Sequence, residues 1–149
     1  MMIKIDYKRT DFLDQHAMKQ VLGILVKDTT LLAKYPLTEK DFVNYEHDTK
    51  WDYNGAPTDK ATIPYLTVFK AIKSAYESGK VRMETGDIEK AYQAYVKDWA
   101  DKALSENFEH NYDTVRKMTV LREAQYHGYT VTKYVGANIA GSSERELLH

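Results

Sequence analysis

The chain has 149 residues, 43% hydrophobic and 29% charged, with a formal net charge of −1 and no cysteine. Such a composition belongs to one soluble globular domain able to close its own core. It excludes disulfides, thiolate metal sites and cysteine nucleophiles, and it fits a reducing, cytoplasmic setting.

In chain order, Met2–Tyr7 alternates Ile3, Ile5 and Tyr7 with Lys4 and Asp6, which predicts a strand and not the apolar stretch of a secretion signal. Thr10 is a candidate N-cap. Beyond it Leu13, Ala17, Val21, Ile24 and Leu25 recur at helical spacing and predict a helix over 11–27. The longest apolar run, Val21–Val26, falls far short of a membrane span. Gly23 inside this helix costs about 1 kcal/mol relative to Ala, which points to another backbone passing close by. Residues 29–34 read as a short further turn ended by Pro36. Thr38 with Asp41 resembles a capping pair opening a short helix over 39–46.

From His47 to Ala61 no period survives, and Asn54-Gly55 and Pro57 predict a loop or small hairpin. A helix over 62–78 follows, with Thr62 at its cap, Pro64 in its first turn, a Tyr65, Val68, Phe69, Ile72, Ala75 stripe and Gly79 as its stop. The next, over 86–104, is capped by Thr85 and turns Ile88, Tyr92, Tyr95, Val96, Trp99 and Ala103 inward. Helices 62–78 and 86–104 are the expected central pair. Asn111 or Asp113 opens a last helix through Gln125, closed by Gly128; Tyr129–Val135 then alternates as a strand, and 136–149 reads as a flexible tail after a single domain over 1–135. Pairing the two terminal strands is the economical way to satisfy them. The fold class is therefore mainly α: a bundle of four to five helices with a minor two-stranded element from the chain ends, for which α+β is an alternative label.

No motif fixes a chemistry. Gly136–Ser143 has P-loop glycine spacing, but Ser142 stands where the lysine belongs. The segment around Asp52-Tyr53-Asn54-Gly55 would place Lys50 and Ala61 at the outer ligand positions of a calcium loop, which rules that loop out. His47 with Glu46, Asp48 and Asp52, and His110 with Glu109 and Asp113, are the His–carboxylate groupings from which a metal-dependent hydrolase could be built; neither has a zinc ligand spacing. No cofactor and no catalytic residue is assigned. Lys60, Lys70, Lys73, Lys80 and Arg82 interleave with Tyr65, Phe69 and Tyr76 as a single-strand nucleic-acid surface would, but those aromatics also form the apolar stripe of a helix, so direct nucleic-acid binding is disfavoured.

The aromatic inventory is skewed, with twelve tyrosines against four phenylalanines and two tryptophans. Tyrosine suits half-wet boundaries where partners are met. Charge is blocked as well: residues 39–59 carry six acidic and two basic groups, and 83–114 carry eight and three. The two features coincide at 44–54, where Tyr45, Trp51 and Tyr53 stand among Glu46, Asp48 and Asp52. An aromatic anchor ringed by carboxylates suits docking on a basic protein surface. The commoner alternative is that Trp51 plugs the end of the bundle while the acids stay wet. These six residues are the candidate partner-binding site of a non-enzymatic protein with a protein partner and no membrane association. One form of that reading is an accessory or inhibitor protein of a phage or mobile element that occludes a basic nucleic-acid-binding site. A metal-dependent hydrolase and a homo-oligomeric structural component are the alternatives.

Overall fold

The computed structural model describes residues 12–126. The strands expected at 2–7 and 129–135, and the tail 136–149, lie outside the described residues. Five helices, α1 (Gln15–Lys27), α2 (Leu31–Lys34), α3 (Tyr65–Glu77), α4 (Gln93–Lys102) and α5 (Phe108–Tyr126), pack around a main core, with a smaller cluster of Val120, Leu121 and Ala124 on the far half of α5, and among the described residues one antiparallel sheet joins β1 (Tyr45–Trp51) to β2 (Pro57–Ile63). The chain is thus mainly α with a minor two-stranded element. That sheet arises from the 45–63 segment. Among the described residues no helix is long and apolar enough to cross a membrane.

The bundle centres on α1, which packs against α3, α4 and α5, rather than on the α3–α4 pair expected from periodicity. Val21, Leu22 and Leu25 of α1 meet Tyr65, Val68, Phe69 and Ile72 of α3, Trp99 of α4 and Val115 of α5 in one buried cluster. Asp14, not Thr10, caps α1, its carboxylate accepting the Ala17 N–H at 2.9 Å. Gly23 is where α4 comes closest. A Cβ there would overlap the Trp99 carbonyl oxygen and lie 2.6 Å from its carbon and 2.8 Å from the Ala103 Cβ. One turn earlier Gln20 clasps the end of α4, donating to the Lys102 carbonyl at 3.2 Å and accepting from the Leu104 N–H at 2.9 Å. The glycine and the glutamine together set the α1–α4 distance.

Helix α3 ends as its sequence predicts. Gly79 has φ +85°, its N–H donates to the Tyr76 carbonyl at 3.0 Å, and the Lys80 N–H donates to the Ala75 carbonyl at 2.9 Å. This is the paired C-terminal bonding of a Schellman motif, in which glycine avoids the left-handed penalty.

Several boundaries depart from the sequence reading: the helix expected from 11 begins at Gln15, and the one expected from 62 begins at Tyr65, with Thr62 in β2 and not at the cap. The turn at Glu39–Asp41 closes with the expected Thr38–Asp41 capping box but does not lengthen into a helix, because Phe42 is extended and buried, stacked on Phe69 with ring centroids 4.7 Å apart. The helix expected from 86 begins at Gln93. Ahead of it the Gln93 amide donates to the Thr85 and Ile88 carbonyls at 3.0 and 3.3 Å, and the Asp87 carboxylate accepts the Glu84 N–H at 2.8 Å, so side chains take the groups a helix would use. Lys80 reaches the same carboxylate at 2.6 Å. That hydrogen bond comes first, and the Glu84 N–H second, in holding Asp87 below the usual carboxylate range. Finally, α5 begins at Phe108, ahead of either expected opener.

The far half of α5 is fastened by polar groups. Arg116 meets the fully buried Asp41 carboxylate at 2.6 Å, and the buried Arg122 guanidinium donates to the carbonyls of Phe12 and Lys40, each at 2.8 Å. Phe12 holds a left-handed φ of 57° at that point, a conformation that costs about 1–3 kcal/mol and persists where neighbours enforce it.

Candidate functional site

The 44–63 segment forms a ribbon anchored at one end. At its root the Asn44 side chain accepts the N–H groups of Leu66 and Thr67 at 2.9 and 3.3 Å and donates to the Thr67 hydroxyl at 3.2 Å. The residue in the capping position of α3 is Pro64, which has no side-chain acceptor. Asn44 therefore caps α3 from more than twenty residues upstream, supplying the oxygen that orphan N–H groups at a helix start require. Beside it Tyr45 is half-buried against the core and stacks on His47, centroids 5.8 Å apart.

Below the root is a buried aromatic layer. Tyr65 stacks on Trp99 at 5.2 Å and donates its hydroxyl to the Gln15 side-chain oxygen at 2.8 Å. Burial pushes the Tyr65 hydroxyl far above its ordinary pKa, with the nearby Tyr45 and Tyr95 hydroxyls adding to the shift.

Away from the root the strands pair in register, Tyr45 opposite Ile63, His47 opposite Ala61 and Asp48 opposite Lys60, with irregularities on either side of Lys50. From Trp51 to Lys60 every residue is exposed. The tip is closed by Asp52, whose carboxylate accepts the N–H groups of Asn54 and Ala56 at 2.9 and 3.0 Å, while Gly55 takes φ +83°. That side-chain-to-backbone bonding holds a turn without apolar support.

Of the six site residues expected from the sequence, the structure places Trp51, Asp52 and Tyr53 together at the tip. Trp51 is 57% exposed and Tyr53 98%. Trp51 is not a plug in the bundle. Tyr45 lies apart, at the root. Glu46 and Asp48 flank His47, and strand alternation turns them to the face opposite its ring. Of the three expected carboxylates, Asp52 is engaged in its turn and Asp48 stands opposite Lys60, while Glu46 stands opposite Thr62 and is exposed.

The other sequence candidates resolve as follows. His110 is exposed, and Asp113 pairs with Lys117 at 2.7 Å. Among the described residues no group of three or more His, Asp or Glu side chains gathers as a metal-ligand set. Of the rings interleaved with the 60–82 lysines, Tyr65 and Phe69 are buried in the core and Tyr76 packs half-buried against it. Sequence reasoning gave Asn44 no role, because a cap supplied from more than twenty residues upstream leaves no local signal. It also missed a groove beside α2, floored by Tyr35 and Phe108, whose residues are brought together only by the fold.

No known family and no solved structure matches the chain. Over 140 residues it is 24% identical to the SPbeta prophage-derived uncharacterized protein YorI of Bacillus subtilis (strain 168). The alignment takes in 91% of this chain and 27% of that protein, so the chain spans about a quarter of the length of the relative it matches.

Proposed function

We propose that this chain is a phage-associated accessory module that acts by binding a protein partner, with the tip of the β1–β2 ribbon as its anchor. The observation that carries the reading is the exposure of Trp51 and Tyr53 on a ribbon whose far half, from Trp51 to Lys60, is exposed at every residue. Tryptophan and tyrosine dominate the energetics of protein interfaces, because each removes a large, stiff apolar area from water when a partner covers it. Two-stranded ribbons are marginal on their own. This one is held in shape by Asp52 at the tip and Asn44 at the root, so the rings are presented with little left to order on binding. The phage association is supported by the likeness to a prophage-derived protein. A partner with a basic nucleic-acid-binding face, which the module would occlude, agrees with the acidic 39–59 and 83–114 blocks.

Affinity capture from the native host, with captured proteins identified by mass spectrometry and re-tested in pure form, decides the matter. The wild type and a Trp51→Ala/Tyr53→Ala variant, both verified as folded by circular dichroism, serve as baits. The expected result is a partner held by the wild type and weakened about 30-fold or more in the variant, the loss of one hot spot. Equal affinity of both baits for a purified partner overturns the ribbon as anchor.

A further inference from the structure

The groove beside α2 has a volume of about 550 Å³, within the span of about 300–1,000 Å³ usual for ligand sites. Its floor is apolar: Ile24 of α1, Leu31 and Tyr35 of the α2 segment, and Phe108 at the start of α5. The floor is also built in advance. Tyr35 meets Phe108 and Tyr112 edge-on, with centroids 5.0 and 5.2 Å away, and already carries the Lys34 ammonium 5.4 Å from its centroid. The rim bears three carboxylates, Asp28, Glu106 and Glu109, against the Lys27 ammonium and the Lys34 ammonium already seated on Tyr35. Asp28 is partly committed, accepting the Thr30 N–H at 3.1 Å. Glu106 and Glu109 are exposed and have no cationic partner among the described residues.

From these features we infer that the groove docks a cationic polypeptide segment, one carrying lysine or arginine beside an apolar side chain. Long cationic side chains lay their methylene stems on apolar surface and keep the charged head at its edge. Here the stem fits the Leu31–Phe108 floor, and the head reaches Glu106 and Glu109. The same rim repels phosphates, so the charge that admits a basic protein segment rejects a nucleic acid. This inference rests on the reading that the chain acts by binding a protein. It assigns the electrostatic half of recognition to the groove, where two exposed carboxylates stand without a cationic partner among the described residues.

The test titrates an alternating Lys–Leu decapeptide, and its Glu–Leu counterpart, into the full chain under two-dimensional amide NMR. Shifts centred on Leu31, Tyr35, Glu106, Phe108 and Glu109 are expected with the cationic peptide only. Glu106→Gln/Glu109→Gln weakens that binding about five-fold, as the loss of two exposed ion pairs requires. Removing the same charge elsewhere, by Glu77→Gln/Glu89→Gln, leaves the affinity within about two-fold. No shift at the groove, equal weakening by both charge-removing pairs, or equal binding of the anionic peptide overturns the inference. The Trp51→Ala/Tyr53→Ala variant retains peptide binding, which keeps a failure of the groove distinct from a failure of the ribbon.

Discussion

Replacing Gly23 with alanine sets two effects of opposite sign against each other, and the structure decides between them. Alanine is favoured over glycine in a helix interior by about 1 kcal/mol, so propensity alone predicts a more stable protein. Against this, the new methyl would overlap the Trp99 carbonyl oxygen and come within 2.6 Å of its carbon and 2.8 Å of the Ala103 Cβ. The obstacle is mainly backbone, which cannot rotate aside as a flexible side chain would. That carbonyl also accepts the Ala103 N–H at 3.0 Å, closing the last turn of α4. Overpacking of this kind costs about 1–3 kcal/mol, and disturbing the closing hydrogen bond adds about 1 kcal/mol. The net expectation is a loss of about 2 kcal/mol, or about 4–8 °C in Tm for a chain of this size. Urea and thermal unfolding followed by circular dichroism measure it. Gly79→Ala is the control: no atom stands within 4 Å of its would-be Cβ, and only its φ of +85° is penalised, at about 1 kcal/mol. A Gly23→Ala protein as stable as the wild type would refute the close α1–α4 approach on which the bundle is built.

Three further outcomes follow from the polar framework. Asn44→Ala lowers stability by about 1 kcal/mol and speeds amide exchange at Leu66 and Thr67, whereas Asn44→Asp preserves both because a carboxylate accepts the same N–H groups at a helix start. Asp41→Ala costs about 2–3 kcal/mol in urea unfolding, since it removes the buried acceptor of both Arg116 and the Thr38 N–H. The pH dependence takes its sign from Tyr65: the folded state holds the phenol proton more tightly than the unfolded chain, so this contribution is intact below tyrosine's ordinary value of 10.0 and is lost as pH rises above it. Stability measured in steps from pH 8 to pH 11 should fall through the upper part of that range, and a curve that rises there would contradict the burial of the Tyr65 hydroxyl.

Much of the fold is legible where apolar spacing and local chemistry agree. The stripe through Val21 and Leu25, the run from Tyr65 to Ala75, the stop at Gly79 and the close approach at Gly23 are all written within a few residues of where they act. Reading failed where side chains from elsewhere take over backbone groups. The start of α4 looks helical in its apolar period, yet Gln93 and Asp87 hold the preceding segment in short turns. Helix α5 hides Asn111, Thr114, Lys117, Thr119, Arg122 and Gln125 on its buried side, so its apolar spacing is weak. Its anchoring pair, Asp41 and Arg116, is 75 residues apart, beyond the reach of any local pattern. At the candidate site the exposure of Trp51 and Tyr53 agrees with their place in an aperiodic, turn-rich segment, while the pairing that sets Asp48 opposite Lys60 and the bonding of Asp52 within its turn come from strand register and tip geometry, which composition does not show.

The ribbon can be interrogated through its own tryptophan. The chain has two, Trp51 at 57% exposure and Trp99 at 3%, so acrylamide quenching of the free protein should resolve one accessible and one protected indole. Repeating the titration on the complex with the captured partner tests the central claim most directly. Protection of the Trp51 component and a blue shift of its emission are the predicted result, and quenching of Trp51 as free as before in a saturated complex would contradict the ribbon tip as the anchor.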